Sequence, residues 1–267
     1  MKNLKRFEEH INEESGLLPF LGAVLTGNVD LSGSAGVSGE EGDTASQGGT
    51  YEPVGNYSPA PGNDDFALYM QHQQGIAGAA GLIRALNGTG KMAPDTIKTK
   101  GGVKYANLVG NVPSDLPQVK RDLIAALDKG DQKTAAGIFL NAWKGKWNSM
   151  QKAAKVDINK PQNATVKDAI SKATAKYNIP FDFAITVAKI ESGFNPKVGN
   201  STYKGLFAMN PNSSYGGAVT PMGNKWSDPY VSAENGVRLL KDAIGDFKRT
   251  LGNDWASLNV GSWANYV

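Results

Sequence analysis

Along the last three quarters of the 267-residue chain, apolar residues recur every three or four positions in several stretches, each bounded by helix start or stop signals. "FALYMQHQQGIAGAAGLIRAL", with Asp64 and Asp65 before it as caps, puts Phe66, Tyr69, Gln73, Ile76, Ala80 and Ile83 on one helical face. Gly75, Gly78 and Gly81 weaken this helix but let a neighbour approach closely. Pro117 opens "QVKRDLIAALDKG", which Gly130 closes. "DQKTAAGIFLNAWKGKWNSMQK" carries a stripe of Ile138, Phe139, Ala142, Trp143, Lys146, Trp147 and Met150 that reads as core. "ATVKDAISKATAKYNIP" and "IPFDFAITVAKIES" follow as two consecutive helices, the second begun by Pro180. In "SAENGVRLLKDAIGDFKRTLG", Val237, Leu240, Ile244, Phe247 and Leu251 share one side. No β-rich stretch, nucleotide loop or repeat array is evident. The pattern predicts a mainly α fold.

The polar stretches divide the chain. Residues 1–63 read as an N-terminal tail and linker: positions 28–63 are rich in Gly, Ser, Asn and Pro and cannot bury enough surface to order themselves. Residues 64–155 form a helical segment, 156–164 a polar joint, and 165–267 a second helical segment. Charge follows the same division. Residues 1–63 hold 3 Lys/Arg and 9 Asp/Glu, whereas 64–267 hold 25 and 16, which leaves the overall +3. A basic body with an acidic tail suits a polyanionic partner, and charge alone does not choose among nucleic acid, anionic membrane and an acidic wall polymer.

Composition narrows the chemistry. With no cysteine, disulfides and thiolate metal sites are ruled out, and the two histidines, His10 and His72, lie far apart in sequence. No metal or cofactor is expected. The charged start lacks the apolar core of a signal peptide. The apolar stretch 16–27 falls short of the roughly 20 residues that span a bilayer, but it could touch a membrane transiently or pack on a partner.

From 64 onward there are only two glutamates, Glu191 and Glu234. Glu191 falls in step with Phe183, Val187 and Phe194, on an apolar stripe. A carboxyl held there loses solvation, which disfavours its charged form and suits it to give a proton to a glycosidic oxygen. A glutamate swung into solvent by fraying of the helix end fits the spacing equally well.

The surrounding motif adds to this. Glu191-Ser192-Gly193-Phe194-Asn195-Pro196, followed by Gly205-Leu206-Phe207 and Met209-Asn210-Pro211, resembles the catalytic region of soluble lytic transglycosylases, whose fold is lysozyme-like. "SDPYVSAENGVRLLKDAI" resembles the Asp-Pro turn and following helix of that family. The resemblance implies Glu191 as catalytic acid and base, with Ser192, Gly205, Leu206, Phe207, Met209 and Asn210 lining a peptidoglycan cleft. It implies a 1,6-anhydro sugar product formed without a second carboxylate. Ala208 stands where the family usually has Gln.

The family's later Ala-Tyr-Asn-Ala-Gly segment has no place before the chain ends. "ALYMQHQQGIAGA" instead resembles the His-Gln-Gln-Gly version found in bacteriophage virion proteins, with His72 and Gln73 standing for Tyr-Asn and Gly75 for the glycine. The terminal "SWANYV" echoes "DFALYM". These matches suggest that 64–267 is one circularly permuted domain. The helix from Asp64 is then expected against the helix ending at Glu191, with Trp263, Ala264 and Tyr266 near Phe66. The resemblance implies a transglycosylase carried in a phage particle, in its tail or interior, acting in the host envelope beside other phage structural proteins and not on nucleic acid. Two further readings stay open: a lysozyme-type hydrolase using Glu191, and a catalytically silent virion protein that keeps the fold.

Overall fold

A computed structural model describes residues 65–92, 106–112, 116–258, 260 and 264. The expectations for the tail, for Asp64, and for Trp263 and Tyr266 lie outside these residues. Among the described residues the regular structure is helical: α1 (Asp65–Asn87), α2 (Ala106–Gly110), α3 (Pro117–Asp128), α4 (Gln132–Asp157), α5 (Ala164–Tyr177), α6 (Phe181–Ser192) and α7 (Pro229–Leu251). Extended pairing among them is limited to isolated bridges, Gly199 with Lys204 and Lys204 with Met209.

Local chemistry places the ends. The Asp131 side chain accepts from Thr134 N–H and caps α4, and Asp228 accepts from the N–H groups of Tyr230 and Val231 to start α7. Asn178 (φ 56°) and Gly193 (φ 60°) close α5 and α6 in the left-handed conformation that satisfies terminal carbonyls. The polar joint is shorter than expected. Val156 and Asp157 stay in α4, and a 3-10 turn at Pro161–Asn163 leads into α5. Asp157 is held there by ion pairs to Lys160 and Lys189 (2.7 and 2.6 Å), and Val156 is exposed.

A single core joins the two helical segments. The α1 face predicted from periodicity is buried at Phe66, Tyr69, Ile76, Ala80 and Ile83, and so are Phe139, Trp143 and Trp147 of α4 and Val237, Leu240, Ile244, Phe247 and Leu251 of α7. α4 touches α1, α3 and α6, while α7 covers α1 and α5. The expected packing of α1 on α6 is therefore corrected in part. The broad faces of α1 lie on α4 and α7, and α1 reaches α6 through side chains at its first turns. Ala264 is wholly buried.

α1 is not continuous. Gly75 has φ 70° and ψ 162°, a backbone region open essentially to glycine alone, and it separates two helical halves. The glycine of the His-Gln-Gln-Gly stretch thus breaks a helix, where the sequence pattern predicted only a weakened one.

Candidate active site

The two glutamates of the helical body have opposite fates. Glu234 is exposed enough to accept from Lys176 (2.5 Å) and Tyr177 (2.7 Å) of α5, and the Lys176 hydrogen bond leads the causes that lower its pKa. It ties α5 to α7. Glu191, in the last turn of α6, is 1% exposed. The reading in which it frays into solvent is excluded.

α6 holds Glu191 firmly. Val187 and Phe183, one and two turns earlier, are fully buried, and Phe183 packs on Trp147 of α4 at 5.6 Å. Ion pairs from Lys155 to Asp182 (2.8 Å) and from Lys189 to Asp157 (2.6 Å) join α4 and α6 at their surfaces. Gly193 then ends the helix and Phe194, with φ 71°, turns the chain away.

Oε1 of Glu191 meets two groups from α1. The Tyr69 hydroxyl donates to it at 3.3 Å, and His72 Nε2 lies 3.5 Å away. Oε2 is buried and has no hydrogen-bond partner among the described residues. Burial, followed by the charge and hydrogen bond of Glu191, pushes the Tyr69 pKa well above 10.0, so its hydroxyl stays a donor. Burial pulls the His72 pKa down, but the hydrogen bond and charge of Glu191 outweigh it and leave the imidazole above its ordinary value. Tyr69 is one turn before His72 on the same helical face. The sequence marked it only as a core position, although that spacing was there to read.

The other predicted residues divide into wall and scaffold. His72, Phe207, Met209 and the α7 residues Gly236, Leu239, Leu240 and Ala243 line a small, mostly apolar pocket. Phe207 lies flat against α7: a Cβ on Gly236 would sit 2.2 Å from its Cδ2. Gly205 takes φ 82° against Ser232, and Leu206 N–H donates to Ser232 Oγ at 2.8 Å, so both residues pin the wall to α7. Lys204 and Met209 exchange backbone hydrogen bonds (2.9 and 3.0 Å) that close this loop. Ala208 has φ 47°. Ser192 is buried, and its hydroxyl donates to Ala188 O within α6 at 2.9 Å. Asn210 folds into its own turn: its N–H donates to Tyr215 Oη and its side-chain oxygen accepts from Asn212 N–H. Gln73 is partly buried, and its Oε1 has no partner among the described residues. Among the described residues no cluster of three potential metal ligands occurs, and no helix is long and apolar enough to cross a membrane.

Comparison with known proteins bears on this arrangement. Residues 168–264 match the Transglycosylase SLT domain. That segment contains Glu191 and the Gly205–Met209 wall, and the match supports a lytic transglycosylase family, with peptidoglycan as the implied substrate and a lysozyme-like fold. Tyr69 and His72 lie outside the matched residues. No curated protein and no solved structure gives a significant match.

Proposed function

We propose that the protein is a peptidoglycan lytic transglycosylase that cuts the bond between N-acetylmuramic acid and N-acetylglucosamine, with Glu191 as both acid and base. The observation that carries this reading is the Glu191 carboxyl, almost wholly buried in an apolar bundle with donors on one oxygen only, inside the segment that matches the transglycosylase domain. In the first step the Glu191 carboxyl gives its proton to the glycosidic oxygen. The C1–O bond breaks and its electron pair stays on the departing sugar. In the second, the 6-hydroxyl oxygen of the same muramic acid bonds to C1 and its proton passes to Glu191. The enzyme is restored, a 1,6-anhydro end is left, and no water is consumed.

The protein's place in a phage particle, in tail or interior, is part of the same proposal. It is supported by the likeness of the stretch around His72, Gln73 and Gly75 to phage virion proteins. So is the permuted arrangement, which the approach of His72 to Glu191 across 119 positions of the sequence supports. Activity would be exerted in the host envelope, alongside other phage structural proteins.

Glu191→Gln keeps the size of the side chain and removes its acid–base function. On isolated cell walls this variant should lose activity by about 10²–10⁴-fold, while the wild type yields anhydro ends. Reducing ends from the wild type would point to a hydrolase. A wild type without any cleavage would point to a structural module, the reading that Ala208 at the usual Gln position favours.

A further inference from the structure

We propose that Tyr69 and His72 are positioning residues that hold Oε1 of Glu191, and that Oε2 is therefore the oxygen that exchanges protons with the sugar. This rests on the transglycosylase reading and deepens it. The terminal torsion of a glutamate is broad and nearly two-fold, so a carboxyl without partners presents either oxygen. Here the two oxygens are not equivalent. Oε1 receives the Tyr69 hydroxyl and faces His72 Nε2, whereas Oε2 is buried with no partner among the described residues. A buried carboxyl oxygen left unmet is costly, and the cost is relieved when that oxygen meets a donor on a ligand.

The clamp is itself clamped. The Tyr69 ring lies 5.3 Å from Trp147 and 6.3 Å from Trp143, both buried on α4. Trp147 in turn packs on Phe183, two turns before Glu191 on α6. One aromatic chain thus fixes the donor and the helix that carries the acceptor. His72 stacks obliquely on Tyr69 at 6.1 Å and turns its other side to the apolar pocket. The Gly75 break directly after this turn frees its direction from that of the following half-helix.

The test is steady-state kinetics on soluble, uncross-linked glycan strands, with thermal unfolding alongside. Tyr69→Phe keeps the ring and deletes the donor. It should lower kcat about ten- to a hundredfold, the range of a hydrogen bond to a charged group, with KM and melting temperature near those of wild type. His72→Met should behave similarly, and His72→Gln, which restores an N–H, should recover most of the loss. Wild-type kcat in Tyr69→Phe, or a change in KM alone, would overturn the clamp. Equal losses in His72→Gln and His72→Met would overturn its histidine half. An active Glu191→Gln would instead bring down the acid reading, so the two failures are distinguishable.

Discussion

A carboxyl in an apolar bundle needs polar partners, and at Glu191 the groups that meet Oε1 come from a helix more than a hundred residues earlier. His72 makes this site sensitive to pH. Its pKa is raised in the folded protein, so the pair with Glu191 stabilises the fold most fully below the unfolded value of about 6.5. That contribution is lost as pH rises through the raised folded value. Tyr69 stays protonated across this window. Melting temperature should therefore decline between near-neutral and mildly alkaline pH, and His72→Gln should flatten the decline. Equal slopes for the two proteins would contradict the pairing. The burial of Glu191 was legible in the sequence because it falls in step with Phe183 and Val187 on an apolar stripe. The hydrogen bond from Tyr69 was not, because a core tyrosine and a donor to a distant carboxyl have the same local pattern.

Among the helices, the ends were readable where proline, glycine or an Asp-Pro turn marks them: Pro117 and Gly130 around α3, and Asp228 before α7. The division of α1 was less readable. Three glycines in one apolar pattern look alike, and the structure puts the break at Gly75. The break carries a prediction. Alanine at Gly75 must either occupy a region nearly closed to it or straighten the helix, and should cost about 1–3 kcal/mol. Thermal unfolding of Gly75→Ala would measure this. A neutral substitution would contradict a required break. Ser192 and Asn210 illustrate a different limit. Motif likeness placed them beside the cleft, whereas their polar groups are already engaged with nearby backbone, a detail set by turn geometry.

For the whole molecule, composition gave a basic body, 25 Lys/Arg against 16 Asp/Glu over residues 64–267, without naming its partner. The transglycosylase match supplies an anionic candidate in peptidoglycan. Capture of a charged wall by scattered surface lysines should be screened as salt shortens the Debye length below about 8 Å. Clearing of isolated walls should slow accordingly, and salt-independent clearing would remove charge from the account. The mainly α fold was legible from periodicity alone, but the joining of α1 with α4, α6 and α7 around one carboxyl was not. That assembly depends on contacts between distant parts of the chain, for which motif likeness gave the only hint.

In the proposed reaction Glu191 passes a proton out and takes one back without water entering the product. Digestion of purified peptidoglycan in ¹⁸O-labelled water, with the new sugar ends read by mass spectrometry, reports on this step. The expected products are 1,6-anhydro ends free of ¹⁸O, and none of them from Glu191→Gln. Reducing ends that carry ¹⁸O, or anhydro ends from the Gln variant at the wild-type rate, would contradict it.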